Sequence, residues 1–239
     1  LEETGIRCHF LNMNDEGHGI EKIKNKIASY QKFKQTLNDY NPDIVHDHLD
    51  NFYSFIYCIL NHKKLVFTIH SWPDRLATRR MKTYLKLLNS RNDINLVGVA
   101  KAVTNRTEKV LLADWDALST IYNPIELNNY YHEEKDKSTF DYIHIGRLTP
   151  IKNQKMLLQA FAVVKKECEH SRLIIAGDGE LRNRLEIIAQ ELNILDSVSF
   201  LGNRSDIPKL LSQSDVFVLA SNSEACPVTV IEAMASGVA

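Results

Sequence analysis

Short apolar runs alternate along this chain with longer stretches in which apolar residues return every three or four positions. The longer pattern is clearest in residues 20–37, where Ile20, Ile23, Ile27 and Tyr30 predict an amphipathic helix. The first half also predicts strands at 6–11, 43–46, 65–69, 95–99 and 117–121, and helices at 52–60, 75–88 and 101–112. This alternation is typical of a parallel sheet covered by helices.

The alternation stops in residues 123–139, which are polar and charged, and then starts again. The second half predicts strands at 140–145, 172–176, 197–201 and 215–219, and helices at 154–168, 180–192, 206–211 and 227–236. We therefore predict two α/β domains in series, with a first domain over 1–125, a linker over 126–139 and a second domain over 140–239.

Composition narrows the functions that such a protein can have. The 29 Lys and Arg residues balance 30 Asp and Glu residues, which excludes a general basic surface for nucleic acid. The longest apolar runs fall well short of the ~20 residues that span a bilayer. Four scattered cysteines (Cys8, Cys58, Cys168 and Cys226) form no C-x-x-C pair, which argues against a disulfide scaffold or zinc knuckle and favours a reducing cytoplasm.

Open parallel sheets bind their ligands at the carboxyl ends of the strands, so candidate chemistry is sought there. After strand 140–145, Gly146 is followed by Arg147 and Lys152. The arginine guanidinium offers a planar fork of N–H donors and the lysine ammonium a compact positive charge. Together on one loop they suit a diphosphate. The alternative is a pair of solvated surface cations.

The segment after strand 215–219 combines a helix start with two carboxylates. Pro227 suits the first helical position, so the N–H groups of Val228 and Thr229 would form an anion site helped by the helix dipole. Glu224 precedes the helix, and Glu232 shares the face of Val228 and Thr229. Such carboxylates are expected to accept hydrogen bonds from hydroxyls attached to the anion, as in a sugar or a ribose. The alternative is a cap at Glu224 and a solvated charge at Glu232.

Histidines follow two predicted strands of the first half. His70 follows strand 65–69, and His46 and His48 share one face at the end of strand 43–46. The nearby carboxylates are Asp43, Asp47 and Asp50. These histidines and carboxylates could suggest a metal site. Metal binding is disfavoured, however, because the sequence pattern does not predict which residue would be the third ligand. A loop or core role is preferred for His48.

Two further patterns have simple explanations. Asp114-Trp115-Asp116 matches a D-x-D string that can bind a divalent ion, but it falls in a helix-to-strand turn that accounts for it. A basic cluster on the helix after His70 consists of Arg75, Arg79, Arg80, Lys82 and Lys86. A solvated helix face explains this cluster, and contact with anionic lipid or a lipid-phosphate acceptor is the alternative.

Five elements of the second half, in their order and spacing, resemble a known family. They are Gly146-Arg147 with Lys152-Asn153, Gly177-Asp178-Gly179, Phe200-Leu201-Gly202, Glu224 and Glu232 with seven residues between them, and Ala233-Met234-Ala235-Ser236-Gly237. The set resembles the retaining glycosyltransferases of family 4. This resemblance implies the GT-B fold, which has two Rossmann-like domains with parallel sheets facing a cleft. It also implies a nucleotide-diphosphate sugar donor, no cofactor and no catalytic metal.

The resemblance implies a diphosphate site in the second domain. Arg147 and Lys152 would hold the diphosphate, and backbone N–H groups around Val228 and Thr229 would contact sugar or phosphate. Many members of the family have a small or aromatic residue and Gly where this chain has Cys226-Pro227. The proline removes one N–H donor from the implied site.

The other implied roles concern the sugar and the nucleoside. Glu224 would contact hydroxyls of the transferred sugar, and His70 would lie beside the reacting sugar and acceptor as the second catalytic residue. Glu232 would bind the ribose, and Asn203 and Arg204 would lie near the base.

The sequence therefore predicts transfer of a sugar to a saccharide or lipid-linked acceptor with retention of anomeric configuration. Cell-surface polysaccharide or glycolipid biosynthesis is the expected setting, in the cytoplasm or peripherally on the inner face of the membrane. A non-catalytic nucleotide-sugar-binding subunit and a GT-B epimerase or phosphorylase are the alternatives. An NAD dehydrogenase is disfavoured because Gly177-Asp178-Gly179 is only a partial G-x-G-x-x-G, with Arg182 at the sixth position, and a tight turn explains it.

Compared with the family pattern, both domains are incomplete. The first begins at what resembles its second strand, without the usual first strand and glycine-rich loop. The second stops soon after the helix that carries Glu232. We therefore expect a fragment that is inactive or poorly stable by itself.

Overall fold

A computed structural model of the protein describes residues 11, 13, 16, 18–48, 51–111, 117–133 and 139–239. The chain divides into two compact units, Leu1–Ile121 and Tyr122–Ala239. Several sequence features lie outside the described residues. They are residues 6–10 of the predicted first strand, Asp50, the Asp114-Trp115-Asp116 string, and residues 134–138 of the predicted linker. None of the helices in the described ranges is long and apolar enough to cross a membrane.

The first unit is a parallel sheet with helices between its strands. Its strands are β1 (Ile44–Asp47), β2 (Lys64–Ile69), β3 (Ile94–Gly98) and β4 (Leu118–Thr120), and its helices are α1 (Gly19–Tyr40), α2 (Phe52–Asn61), α3 (Arg79–Asn89) and α4 (Lys101–Leu111). The strands lie side by side in chain order. Because each crossover steps in the same direction, the right-handed rule places α2, α3 and α4 on one face. Phe55, Phe67, Leu85 and Leu96 are fully buried in the core.

The predicted helix 75–88 is interrupted in the structure. A short 3-10 turn covers Pro73–Ala77, and α3 begins after Thr78, whose backbone is extended (φ −62°, ψ 140°). The Thr78 side chain accepts a hydrogen bond from the Met81 N–H at 3.3 Å, as an N-cap residue does. The prediction of one continuous helix was wrong because periodicity alone does not show this cap.

The second unit is a parallel sheet whose strand order reverses. It contains β5 (Phe140–Ile145), α5 (Gln154–Glu167), β6 (Ser171–Ala176), α6 (Arg182–Glu191), β7 (Val198–Gly202), α7 (Ile207–Ser212), β8 (Val216–Phe217) and α8 (Val228–Ala235). The order across the sheet is β7-β6-β5-β8. The chain therefore runs outward from β5 to β7, then returns to place β8 on the other side of β5. A crevice forms at the carboxyl ends of strands where the order reverses in this way.

Apolar side chains cover both faces of this second sheet. Leu158, Phe161 and Leu185 pack in one cluster, with α5 and α6. Leu211 and Ala233 pack in another, with α7 and α8. Two layers of helices therefore hold the β5 and β8 loops in place.

The glycine turn after β6 serves packing between backbones. Gly177 has φ +134°, and a Cβ there would lie 2.1 Å from the Gly146 carbonyl oxygen. At Gly179 a Cβ would lie 2.5 Å from the Leu148 carbonyl oxygen. The Leu148 N–H donates to the Asp178 carbonyl at 3.0 Å. The tight-turn explanation therefore fits, since neighbouring backbone fills the space that a ligand would need.

Candidate functional site

The loops after β5 and β8 meet where the strand order of the second sheet reverses. Lys152 lies on the first loop and Glu224 on the second, and Lys152 Nζ donates to Glu224 Oε1 at 2.5 Å. Both side chains are partly buried, which strengthens their attraction. Arg147 stands solvent-exposed at the start of the first loop. The structure thus brings together a cation and a carboxylate that the sequence placed in separate motifs.

Asn222, which belongs to none of the predicted site residues, connects the two loops. The Asn222 N–H donates to the Ile151 carbonyl at 2.8 Å, and its side-chain amide donates to the Pro150 carbonyl at 3.3 Å. The side chain of Asn153 donates to Asn222 Oδ1 at 3.2 Å. Asparagine after a short strand is a signal for such loop bonding. These bonds fix the spacing between Lys152 and Glu224.

The start of α8 differs by one residue from the prediction. Pro227 has φ −70° and ψ 116°, so it is the N-cap, and the first helical residue is Val228. The prediction of Pro227 at the first helical position was wrong, because its extended ψ lies outside the helical region. The first-turn N–H groups of Val228 and Thr229 have no intrahelical acceptor, as at any helix start. They can donate to an anion.

Glu232 has a partner that the sequence analysis missed. The Tyr130 hydroxyl donates to Glu232 Oε1 at 2.8 Å. Burial, with the adjacent Glu232 carboxylate, raises the pKa of Tyr130 to about 12, so the phenol keeps its proton and the bond persists at neutral pH. Tyr130 lies in the predicted linker 126–139, whose described residues 126–133 belong to the second unit. The aromatic side chain of Tyr130 in a mainly polar segment was the sequence signal that could have indicated this contact.

Asn203 and Arg204 lie on an exposed loop after β7. The Arg204 guanidinium forms a fork with Asp206, with bonds of 2.8 and 2.7 Å. Hydrogen bonding to Arg204 lowers the pKa of Asp206, which keeps the fork ionised. The Arg204 guanidinium is therefore paired with Asp206 on the exposed loop that follows β7.

Three histidines meet at the carboxyl edge of the first sheet. His48 Nδ1 lies 2.9 Å from His70 Nε2, and His46 Nε2 lies 2.8 Å from Thr68 Oγ1. The rings of His46 and His48 are 4.1 Å apart. His48, predicted to have a loop or core role, contacts His70 directly. The described residues include no group of three or more His, Cys, Asp or Glu side chains that could hold a metal ion.

Acid is expected to weaken the first unit because the folded protein resists protonation of His70. Burial, and then the neighbouring His48 and His46, lower the pKa of His70 from its ordinary 6.5. The unfolded chain therefore takes up this proton at a higher pH than the folded one, and stability falls as the pH drops below about 6.5. We expect the melting temperature of His70→Asn to fall less between pH 7.5 and 5.0 than that of wild type.

The control for this pH series is His170→Asn, at an exposed histidine of the second unit. It should lose stability with acid as wild type does. If the melting temperatures of His70→Asn and wild type fell equally between pH 7.5 and 5.0, the expectation would be contradicted.

The first unit also contains a cavity of about 740 Å³ beside the N-terminal ends of α2 and α3. Ile27, Phe52 and Tyr84 contribute to its wall together with Lys26 and Arg80. The Arg80 guanidinium lies 3.7 Å from the Phe52 ring centre. At least one cation of the predicted basic cluster thus stacks on an aromatic ring.

Two family models match this chain, one for each half. Residues 15–129 match the model described as Glycosyltransferase Family 4. Residues 131–239 match the model described as Glycosyl transferases group 1. Together they account for most of the chain.

Curated relatives are longer than this chain. An uncharacterised glycosyltransferase of Methanocaldococcus jannaschii is 26% identical over 244 residues, which cover 90% of this chain and 60% of that protein. The UDP-Gal:alpha-D-GlcNAc-diphosphoundecaprenol alpha-1,3-galactosyltransferase of Escherichia coli is 29% identical over 189 residues, which cover 73% of this chain and 46% of that protein. This chain therefore spans about half of their length.

Solved structures share the fold. HepE of Anabaena, solved in complex with UDP and glucose, is 20% identical and has a TM-score of 0.71. The match covers 88% of this chain and 61% of HepE.

Proposed function

This chain belongs to the glycosyltransferases, with a family 4 domain, a group 1 domain and the two parallel sheets of the GT-B fold. On that premise, we propose that the whole protein transfers a sugar from a nucleotide-diphosphate sugar to an acceptor, with retention of anomeric configuration. One observation carries the proposal: Lys152 and Glu224 meet where the strand order reverses. A cation for phosphate and a carboxylate for sugar hydroxyls are the two groups that such a donor needs.

The leaving diphosphate sets the electrostatic demand on the site. Negative charge develops on it as the glycosidic bond breaks, and preorganised donors lower that barrier. Arg147 and Lys152 supply two cations, and the N–H groups of Val228 and Thr229 supply donors at the positive end of α8. These groups take the role that a divalent ion would otherwise have, so we propose metal-independent transfer.

We propose retention by same-face attack without a covalent glycosyl-enzyme, and the pairing of Glu224 is compatible with that route. The Glu224 carboxylate is paired with the Lys152 ammonium, which lowers its nucleophilicity. We therefore assign Glu224 to hydrogen bonds with hydroxyls of the transferred sugar. The acceptor would attack the same face, with the leaving phosphate taking the acceptor proton, and His70 would lie beside the reacting sugar.

The remaining residues are assigned to the nucleoside. Glu232, oriented by the Tyr130 hydroxyl, would accept from the ribose hydroxyls. Asn203 and Arg204 would border the base.

The acceptor and the setting are proposed from chemistry and from relatives. The E. coli relative acts on a diphosphoundecaprenol-linked sugar according to its name, and we propose a saccharide or lipid-linked saccharide as the acceptor here. Cys58, Cys168 and Cys226 are free thiols, which suits a reducing cytoplasm, with the inner face of the membrane as a peripheral location. The product would enter polysaccharide or glycolipid synthesis.

Donor screening with product analysis tests this function. We expect one of UDP-, GDP- or ADP-linked hexoses to raise the melting temperature of the full-length protein. That donor should then yield a glycoside whose anomeric proton shows the configuration of the donor, and the yield should survive EDTA. An inverted product would contradict retention. Donor binding without turnover would indicate a non-catalytic subunit, and an altered free sugar without acceptor would indicate an epimerase.

A further inference from the structure

Two fully buried polar side chains lie directly beneath the loop that carries Arg147 and Lys152. His144 is on β5 and Gln154 is the first residue of α5, and neither side chain is exposed to solvent. We propose that His144 and Gln154 form a buried brace that orders the loops after β5 and β8, and so positions the diphosphate-binding groups. The positioning role rests on the function proposed above, whereas the ordering of the loops does not.

The brace connects both sides of the point where the strand order reverses. His144 Nδ1 lies 2.9 Å from the carbonyl oxygen of Val218, the residue that follows β8. Gln154 Nε2 lies 3.2 Å from His144 Nε2 and donates to the Arg147 carbonyl oxygen at 2.8 Å. Two side chains thus hold the backbone where the loop that carries Lys152 begins and where the loop that carries Glu224 begins.

These contacts define one protonation state. A carbonyl oxygen only accepts, so His144 carries its proton on Nδ1 and donates to Val218. His144 Nε2 then accepts from one amide N–H of Gln154, and the second amide N–H bonds Arg147. The opposite amide orientation would place Gln154 Oε1 against the Arg147 carbonyl, oxygen to oxygen.

The surroundings keep His144 neutral. Burial lowers its pKa, and the Lys152 charge acts in the same direction, while the Val218 bond and Glu224 act against it. A charged His144 would turn an N–H toward the amide N–H of Gln154. Neutral His144 is therefore the form in which all three hydrogen bonds of the brace can form.

Hydrogen exchange on the full-length protein tests the brace. Gln154→Leu keeps the bulk but removes both amide donors. We expect about 10-fold faster exchange in residues 146–153 and 218–224, which corresponds to the loss of one or two buried hydrogen bonds. The control is Ser214→Ala, at a residue just before β8 and so at the opposite edge of the sheet. It removes a partly buried hydrogen bond from the Ser214 hydroxyl to the Leu210 carbonyl of α7. It should leave both loops unchanged.

A second variant separates the brace from general loss of packing. In Gln154→Glu the carboxylate cannot donate, but a proton taken up by it or by His144 restores one bond. Loop protection in this variant, corrected for intrinsic exchange rates, should recover as the pH falls from 8 to 5.5, and should not recover in Gln154→Leu. Equal exchange in Gln154→Leu, Ser214→Ala and wild type, or no recovery in Gln154→Glu, would overturn the brace.

Nucleotide affinity tests the positioning role with UDP, GDP and ADP as probes. We expect about 10-fold weaker binding of the preferred nucleotide by Gln154→Leu. Unchanged affinity despite faster loop exchange would overturn the positioning role. If wild type binds none of the three nucleotides, the proposed function fails, whereas the exchange experiment still decides the brace.

Discussion

Lys152→Met is expected to lower the rate of sugar transfer by the full-length protein at least about 100-fold. The variant removes one of the two cations that we propose flank the leaving diphosphate, and single transition-state donors of this kind are worth about 10²–10³ in rate. It also leaves Glu224 without the ammonium that lies 2.5 Å away. The unpaired carboxylate would then repel the diphosphate, which adds to the loss. Initial rates with saturating donor measure the effect.

The matched control for this charge loss is Lys155→Met. Lys155 is exposed in the first turn of α5, three residues along the chain from Lys152. The same net charge change there should alter the rate less than about 2-fold, because exposed charges are screened by salt and water. Comparable losses in both variants would mean that overall charge, and not the diphosphate site, sets the rate. A wild-type rate for Lys152→Met would remove Lys152 from the site.

Gly177→Ala is expected to destabilise the second unit by about 3 kcal/mol or more. The backbone of Gly177 has φ +134°, which residues with a side chain rarely adopt. The added Cβ would also lie 2.1 Å from the Gly146 carbonyl oxygen, and backbone cannot move aside as a flexible side chain can. Calorimetry of the full-length protein should show a fall of about 10 °C in the transition of this unit.

Gly146→Ala provides the control within the same pair of loops. A Cβ at Gly146 meets its nearest neighbours at 3.5 and 3.7 Å, which are ordinary contacts. We expect a stability change below about 1 kcal/mol. If both alanine variants lost similar stability, the cause would be any added carbon in these loops, and not the positive φ and close backbone contact of Gly177. No loss for Gly177→Ala would mean that the turn after β6 relaxes freely.

Local pattern was sufficient for most elements of this fold. The predicted strand 140–145 coincides with β5, and the predicted helix 154–168 differs from α5 by one residue. Both follow from the spacing of apolar side chains, which depends only on neighbours along the chain. Periodicity did not predict where α3 and α8 begin. Those helix starts depend on the N-cap at Thr78 and on the extended backbone of Pro227.

Loop position also followed from the sequence. Arg147, Lys152 and Glu224 come after predicted strands of a parallel sheet, and carboxyl ends of such strands share one edge. That reasoning placed them at one edge without showing which of them touch. His144 was not among the predicted site residues, although a polar residue within the mostly apolar strand β5 was a visible signal.

The sequence by itself thus determined two α/β units and the loops that carry charge. The tertiary structure alone decided the partners: Lys152 with Glu224 across 72 positions, Tyr130 with Glu232 across 102, and His48 with His70 across 22. The reason is that strand order is set by crossover handedness and by the packing of helices on both faces. No local run of residues encodes that β8 lies beside β5 and not beyond β7, yet that placement builds the site.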